Sequence, residues 1–342
     1  MKLSDFDYPI QNHAIAQFPP KVRDQARLLV LNRADGVMAH RTFSDLPDLL
    51  KPGDVLVLND TKVFPARLTG NRETGAKTEI LLLQPRSPLR WEALARGKFR
   101  KAQKVYLKGG LVGEFLEDLG EGKNLIEFKE TEERIRNHFL TFGEVPLPPY
   151  IQRKKGLLKE DREDYQTVYA KFYGSVAAPT AGLHFTHSLL NKILQRGIEV
   201  ATVTLHVGLG TFKPVQCEEI EQNQMESEFY AVSEEAAKKI RLAKVENRKV
   251  IAVGTTTTRT LETISAQKGE IVSGEGSTRS FIFPGYIFKT IDGLITNFHL
   301  PKTTLLMLVS AFARRELILK AYETALKENY RFYSYGDAML IV

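Results

Sequence analysis

The sequence predicts an α/β body with a mixed sheet plus an inserted small antiparallel β-barrel domain. The apolar strand Val55 to Leu58 is typical of a strand buried on both faces. After Tyr165, helical and strand patterns alternate, as they do in α/β proteins. Residues 67–146 instead carry short alternating segments between turns rich in glycine or charge, which favours a small barrel.

The length of 342 residues favours two domains, each with its own core. Pro146, Pro148 and Pro149 predict a stiff extended connector at the end of the barrel segment. We therefore predict a discontinuous α/β catalytic domain, residues 1–66 and 147–342, with the barrel domain at 67–146 inserted into it. Such insertions are tolerated because the termini of a domain often lie close together.

The elements before the connector are predicted as strands. An apolar strand lies within Asp24 to Arg33, and Pro52-Gly53 makes the turn before Val55 to Leu58. The barrel strands are predicted at Glu79 to Leu83, Trp91 to Ala95, Lys104 to Leu107 and Leu125 to Phe128.

Helices and strands alternate after the connector. Thr186 and Ser233 precede helical patterns and are predicted as N-caps. The helices are expected at His187 to Arg196, Ser233 to about Asn247, directly after the threonine run Thr255 to Thr258, and Thr303 or Thr304 to about Arg315. The strands are expected at Glu199 to Leu205, Val250 to Val253, Ser280 to Phe283 and Leu294 to Thr296.

The composition is that of a soluble globular protein, with 43% apolar and 26% charged residues. The N-terminus lacks the apolar stretch of a secretory signal, and the apolar run 305–312 is too short for a membrane span, so we expect a cytoplasmic protein. Cys217 is the single cysteine, which excludes an internal disulfide and a zinc site built on several thiolates. No spacing of ligands suggests a metal. The net charge of +7 favours an anionic partner.

Four segments place small residues, then a histidine or hydroxyl cluster, after a strand or helix edge. They are Ala177 to His184, Leu205 to Phe212, Val253 to Arg259 and Thr296 to Pro301. In open α/β sheets, loops after the strand ends surround the ligand, so these four are predicted to form one pocket. The candidate residues are Thr180, Gly182, His184, His206, Gly208, Gly210 and His299. Each histidine taken singly is also compatible with a purely structural hydrogen bond.

Thr255 to Thr258 open a predicted helix directly after a strand. Amides and hydroxyls there suit a phosphate or an amino-acid carboxylate, with Arg259 one residue beyond the run. The alternative is ordinary capping by one threonine. Gly208 and Gly210 do not begin a dinucleotide fingerprint, because Lys213 stands at the third glycine position and Pro214 follows.

A basic run with interleaved aromatic residues lies in the predicted barrel. Cations neutralise phosphates and aromatic faces stack on unpaired bases, although a solvated barrel face shows the same pattern. The candidates for RNA binding are Arg96, Lys98, Arg100, Lys101 and Lys104, with Arg153 and Lys154 as a second basic group beside the connector. Glu226 and Glu228 are candidates for a general base or for stabilising a cation, and the alternative is a solvated segment leading to a helix.

Segments of the chain from Leu58 to Leu340 resemble, in order, the S-adenosylmethionine:tRNA ribosyltransferase-isomerases of queuosine biosynthesis. They read LNDTKVFPARL, PLPPYI, YQTVYA, GSVAAPTAGLHFT, LHVGLGTFKPV, GTTTTRTLE, FIFPGYIFK, LITNFHLPKTTLLMLVSAFA and YRFYSYGDAML. The resemblance implies a monomer that transfers and isomerises the ribosyl unit of S-adenosylmethionine onto 7-aminomethyl-7-deazaguanine at the tRNA wobble position. Epoxyqueuosine-tRNA, adenine and methionine are the implied products.

The implied reaction needs a base to take the C5′ proton beside the sulfonium. His184 or His206 is the predicted base, and Glu228 is a candidate catalytic residue. The sulfonium is predicted to lie near aromatic faces or near Glu228. Thr255 to Thr257, with Arg259, are predicted to bind the methionyl carboxylate, and the other loop residues to contact the cosubstrate. One departure is Glu226, where relatives carry histidine. The competing classes are a non-catalytic RNA-binding module and a methyltransferase.

Overall fold

The computed structural model describes residues 1–153, 156–208, 210 and 215–342. The strands are β1 (Arg27–Leu31), β2 (Met38–Thr42), β3 (Val55–Asn59), β4 (Thr61–Val63), β5 (Arg67–Arg72), β6 (Lys77–Ser87), β7 (Arg90–Ala95), β8 (Lys104–Leu107), β9 (Val112–Gly120), β10 (Lys123–Phe128), β11 (Phe172–Ser175), β12 (Glu199–Leu205), β13 (Glu228–Val232), β14 (Val250–Val253), β15 (Gly274–Thr278), β16 (Gly293–Asn297) and β17 (Ala338–Ile341).

The helices are α1 (Leu46–Leu49), α2 (Glu132–Phe142), α3 (Asp161–Asp164), α4 (His187–Gln195), α5 (Glu234–Val245), α6 (Thr255–Lys268), α7 (Thr304–Ala313) and α8 (Arg315–Lys327). The predicted N-caps are confirmed. The Thr186 hydroxyl accepts from the Leu189 amide at 3.0 Å, and the Ser233 hydroxyl accepts from the Ala236 amide at 3.2 Å. In each case a side-chain oxygen satisfies an amide that has no partner within its own helix.

The described residues form one large mixed sheet with the strand order β15-β13-β12-β3-β14-β16-β17-β1-β2. Its centre, β12, β3, β14 and β16, is parallel. Strand β3 is apolar from Val55 to Leu58 because both of its faces are buried. Val55 and Val57 pack in the core on the side of α5, α6 and α7, whereas Leu56 and Leu58 pack on the opposite side with α4. The alternating side chains of the strand thus enter two different cores.

The barrel is closed by β10-β7-β6-β5-β8-β9 and has its own apolar core. Its entry and exit lie side by side, since the amide of Arg67 donates to the carbonyl of Glu144 at 3.0 Å and the reverse bond measures 2.8 Å. That geometry suits an insertion. The α/β body with an inserted antiparallel barrel is confirmed as the fold class, while the domain boundaries at 66/67 and 146/147 stay a prediction.

The strand predicted at Ser280 to Phe283 is wrong. This segment is irregular, because the Ser280 carbonyl accepts from the Arg259 side chain at 3.0 Å and the Ser280 amide donates to the Thr278 hydroxyl at 3.0 Å. The sheet edge is formed instead by β15, which pairs with β13. The backbone groups of Ser280 therefore form hydrogen bonds with side chains rather than with a neighbouring strand.

Candidate active site

The carboxyl ends of β12, β3, β14 and β16 lie at one edge of the large sheet, because these strands are parallel. Strand β13 runs antiparallel to β12, so its first residue, Glu228, reaches the same edge. Loops that leave such an edge form the ligand sites of open α/β sheets. The topology therefore gathers the segments that follow Asn59, Leu205, Val253 and Asn297 at one end of the body.

A cleft of about 2300 Å³ lies between this edge and the barrel. Its barrel wall includes Phe64 and Trp91, whose ring centroids are 5.5 Å apart, and its body wall includes His206, Glu228 and Phe229. Small-molecule pockets occupy roughly 300 to 1,000 Å³. The cleft therefore has room for a segment of a macromolecule beside a small cosubstrate.

His206 lines this cleft and is held on three sides. Its Nδ1 lies 2.8 Å from the Thr61 hydroxyl oxygen, and its ring stacks on Phe229 with centroids 5.4 Å apart. Only glycine fits at position 174, because a Cβ there would lie 2.4 Å from Nε2 of this ring. Burial lowers the pKa of His206 to about 4. The imidazole is thus neutral at pH 7 and fixed in orientation.

Asn59, which sequence reasoning passed over, ties three elements together at this edge. Its Nδ2 donates to the Leu205 carbonyl at 3.1 Å and to the Thr256 hydroxyl at 3.2 Å. Its Oδ1 accepts from the amides of Leu205 at 3.0 Å and Thr61 at 3.1 Å. The available signal was a polar residue directly after a fully apolar strand. Asn59 sets the relative positions of β3, β12 and α6.

Glu228 and Arg259 form a buried ion pair between β13 and α6. Each side chain is only 4% exposed. The other oxygen of Glu228 accepts from the Gly208 amide at 3.0 Å, which draws the glycine loop over the carboxylate. Arg259 Nε donates to the Ser280 carbonyl, and its Nη2 is buried without a hydrogen-bond partner in the described part of the chain. A buried donor without an acceptor lowers the stability of the folded protein, and a ligand that supplies an acceptor removes this penalty.

The threonine run uses its hydroxyls largely within the protein. Thr257 and Thr258 donate to the carbonyls of Val253 at 2.7 Å and Gly254 at 3.2 Å, and the Thr256 hydroxyl accepts from Asn59. Three of the four consecutive hydroxyls are thus explained by internal bonds in a buried helix. The helix N-terminus at Thr255 still presents its positive dipole end at the sheet edge.

The structure does not bring the loop of His184 to the cleft lining. Thr180 donates to Asn297 Oδ1 at 2.8 Å, and Asn297 Nδ2 lies 3.3 Å from His184 Nε2. Gly182 leaves room for the Tyr169 hydroxyl, which would lie 2.0 Å from an added Cβ. His299 is likewise buried, with Nε2 2.8 Å from the Thr296 hydroxyl oxygen. These residues form a polar core layer beneath the site, and their predicted roles toward the cosubstrate stay predictions.

Burial lowers the pKa of both His184 and His299 to about 3. In the unfolded chain their pKa returns to about 6.5, so the unfolded state binds more protons as the pH falls. We expect each of these histidines to lower the free energy of unfolding by up to about 1.4 kcal/mol per pH unit between about pH 6 and 4. Urea unfolding of His299→Gln over this range should show a shallower pH slope. The control, exposed His13→Gln, should keep the slope of the wild type, and an unchanged slope in His299→Gln would contradict the expectation.

The basic run of the barrel is exposed, but of its two aromatic residues Phe99 is covered, whereas Tyr106 is 47% exposed. Phe99 stacks on Phe115 with centroids 3.8 Å apart, and the Arg72 guanidinium lies 4.1 Å from the Phe99 ring centroid. The exposed members of the run are Arg96, Lys98, Arg100, Lys101 and Lys104. They do not contribute to the lining of the cleft as far as the chain is described.

The second basic group is placed differently from the first. Arg153 is 7% exposed and forms a bidentate pair with Asp161, with Nη2 2.7 Å from Oδ1 and Nε 3.0 Å from Oδ2. This pairing leaves the Arg153 guanidinium little surface for a phosphate. Lys154 lies outside the described residues.

Glu226, which stands where the resemblance led us to expect histidine, joins the two sides of the cleft. Its Oε1 lies 2.8 Å from Lys123 Nζ on barrel strand β10. Gly210 packs against it, since a Cβ there would lie 3.3 Å from the Glu226 side chain. The carboxylate therefore forms an ion pair between body and barrel, a contact that a neutral histidine would not make.

The α/β body and the barrel enclose a large cleft lined by an oriented imidazole and a buried carboxylate, and such a fold and cleft are typical of an enzyme. Within the described residues, no helix is long and apolar enough to cross a membrane. In the same residues, histidine, cysteine and acidic side chains do not come together in threes to hold a metal.

Comparison with known proteins identifies the family. The queuosine biosynthesis protein family matches residues 3–341. The S-adenosylmethionine:tRNA ribosyltransferase-isomerases of Desulfitobacterium hafniense and Staphylococcus epidermidis are 52% and 49% identical to this chain, with all of both chains covered in each case. The crystal structure of S-adenosylmethionine tRNA ribosyltransferase from Thermotoga maritima shares 36% identity at a TM-score of 0.58, covering 99% of this chain and 100% of that one. The chain belongs to the queuosine biosynthesis protein family.

The predicted family and the prediction of an enzyme of the transferase-isomerase class are thereby confirmed. Of the predicted site residues, the structure brings His206, Gly208, Gly210 and Glu228 to the cleft. Arg259 and Thr256 lie behind these residues. Arg259 binds Glu228, and Thr256 binds Asn59.

Proposed function

We propose that this enzyme transfers and isomerises the ribosyl unit of S-adenosylmethionine onto 7-aminomethyl-7-deazaguanine at the wobble position of tRNA. The products are epoxyqueuosine-tRNA, adenine and methionine, and the enzyme works as a cytoplasmic monomer. Relatives that match this chain over their full lengths carry the name S-adenosylmethionine:tRNA ribosyltransferase-isomerase, which supports the proposal. The observation that carries it is His206, a neutral and oriented imidazole in a cleft large enough for both substrates.

His206 is the base that removes the C5′ proton in this proposal. A general base must reach the reacting atom, and His206 lines the cleft whereas His184 is buried against Phe43, with ring centroids 5.0 Å apart. When Nδ1–H of His206 donates to Thr61, Nε2 carries the lone pair that accepts the proton. His184 then serves as a positioning residue, because it binds Asn297 at the end of β16.

The cosubstrate lies along the sheet edge in this proposal. The sulfonium is placed beside Glu228, whose carboxylate lines the cleft and offsets the positive charge. The methionyl carboxylate is placed at the N-terminus of α6, where the helix dipole and the unpaired Nη2 of Arg259 favour an anion. The exposed barrel lysines and arginines at 96–104 neutralise tRNA phosphates.

The deciding experiment mixes the protein with S-adenosylmethionine labelled in the adenine and methionine parts, and with tRNA that carries the aminomethyl base. Release of free adenine and methionine is expected. Formation of S-adenosylhomocysteine and methylated tRNA would assign the chain to the methyltransferases instead. Binding of the tRNA without turnover would leave only an RNA-binding module, and either result would overturn the proposal.

A further inference from the structure

Two aromatic side chains are exposed next to each other at the mouth of the cleft. Phe172 is 47% exposed and Tyr173 is 40% exposed, and both lie on β11, which pairs with β4 in a small two-stranded sheet. Successive side chains of a strand point to opposite faces, so both faces of this ribbon are open to solvent. Large aromatic side chains contribute most when buried, which makes such exposure informative.

A lysine accompanies each of these rings. Lys62 Nζ lies 4.6 Å from the Tyr173 ring centroid, and Lys171 Nζ lies 5.0 Å from the Phe172 ring centroid. Lys62 is placed beside Tyr173 by the parallel register of β4 and β11, which pairs these two residues. The four residues Lys62, Lys171, Phe172 and Tyr173, here called the aromatic-lysine ribbon, combine flat apolar faces with positive charge.

The ribbon leads directly into the site. Lys171, Phe172 and Tyr173 all line the cleft, and the next residue, Gly174, packs against the His206 ring. Phe229, which is 40% exposed, also stacks on His206. The ribbon and the stacked pair of His206 and Phe229 therefore line the same cleft, with Gly174 joining the ribbon to the proposed base.

We propose that the aromatic-lysine ribbon binds the unpaired nucleotides that flank the wobble base, by stacking of bases on Phe172 and Tyr173 and by contact of phosphates with Lys62 and Lys171. Single-stranded RNA is recognised in this way, because unstacked bases pack on aromatic faces while cations track the backbone. In the basic run of the barrel, Phe99 is covered by Phe115 and Arg72, while Tyr106 is 47% exposed but does not line the cleft in the described chain. This inference rests on the proposed function for the identity of the RNA.

The test replaces Phe172 and Tyr173 singly by leucine, which keeps an apolar side chain and removes the stacking face. With an anticodon stem-loop RNA as the probe, we expect the dissociation constant to rise about fivefold or more for each variant, since base stacking on an aromatic residue typically accounts for about 1 to 3 kcal/mol. Affinity for S-adenosylmethionine should not change. Phe18→Leu is the matched control, because Phe18 is 53% exposed and has Arg153 4.4 Å from its ring centroid, but does not line the cleft in the described chain.

The charge contribution is tested separately with Lys62→Gln and Lys171→Gln. Each is expected to reduce the slope of log affinity against log salt by about one. Stem-loop affinity in Phe172→Leu and Tyr173→Leu equal to that of Phe18→Leu would overturn the inference, as would a wild-type protein that does not bind the stem-loop. Because the readout is binding, weakened affinity in the two leucine variants supports the ribbon even if the wild type releases no adenine, which would count against the proposed function alone.

Discussion

Replacing His206 by glutamine is expected to slow the release of adenine by about two to four orders of magnitude, the usual contribution of a positioned general base. Glutamine retains a polar side chain of similar length but cannot accept a proton near neutral pH. The measurement is single-turnover release of adenine at saturating S-adenosylmethionine and modified tRNA, so that binding defects do not enter. The exposed residue His13, changed to glutamine, provides the control and should react at the rate of the wild type.

The pH dependence gives this expectation a second readout. The burial that lowers the pKa of His206 to about 4 keeps the base in its active, neutral form at all higher pH values. Between pH 5.5 and 8, kcat/KM should therefore show no acidic limb from a histidine, and it should fall only as the pH approaches 4. A limb near pH 6.5, or adenine release in His206→Gln within fivefold of the wild type, would remove His206 from this role.

Replacing Arg259 by methionine is expected to destabilise the protein by about 3 to 5 kcal/mol, because it leaves the Glu228 carboxylate buried beside an apolar side chain. Both members of this pair are 4% exposed, so solvent cannot compensate the remaining charge. Urea unfolding at pH 7 measures the loss. The double variant Glu228→Gln with Arg259→Met should recover much of it, since both charges of the buried pair are then removed together.

An exposed pair provides the matched control for this second prediction. Lys327 and Glu323 are four residues apart on α8, with side chains 72% and 64% exposed. Lys327→Met should cost less than about 1 kcal/mol, as is usual for surface ion pairs. If Arg259→Met costs no more than Lys327→Met, the buried pair does not hold β13 to α6 in the way its geometry indicates.

Elements whose signals are local were predicted from the sequence. β12 and β14 have the predicted bounds, because each is an apolar run next to a helix with a hydroxyl N-cap. Strands β5 and β9 of the barrel were not predicted. β5 carries polar residues on most of its outward positions, and its place is decided by pairing with β6 and β8. Helix α8 was also missed, since a single residue, Arg314 with φ of +61°, separates it from α7.

The candidate site, like the fold, was predicted only in part from the sequence. Residue patterns alone gathered His184, His206 and His299 on similar loops after strands, and the resemblance of long segments identified the family. The sequence by itself thus determined the fold class and the family, and it predicted the edge of the sheet at which the candidate loops meet. These follow from hydrophobic periodicity, helix caps and contiguous motifs, which are properties of neighbouring residues.

Only the tertiary structure decided which histidine meets the cleft. His206 contacts Phe229 and Gly174 at the cleft wall, while His184 and His299 are buried in the layer beneath. It also paired Glu228 with Arg259 and Glu226 with Lys123, partners 31 and 103 residues apart. Burial and ion pairing depend on contacts between distant segments, so three loops with similar local sequence acquire different environments only when the sheet and barrel come together.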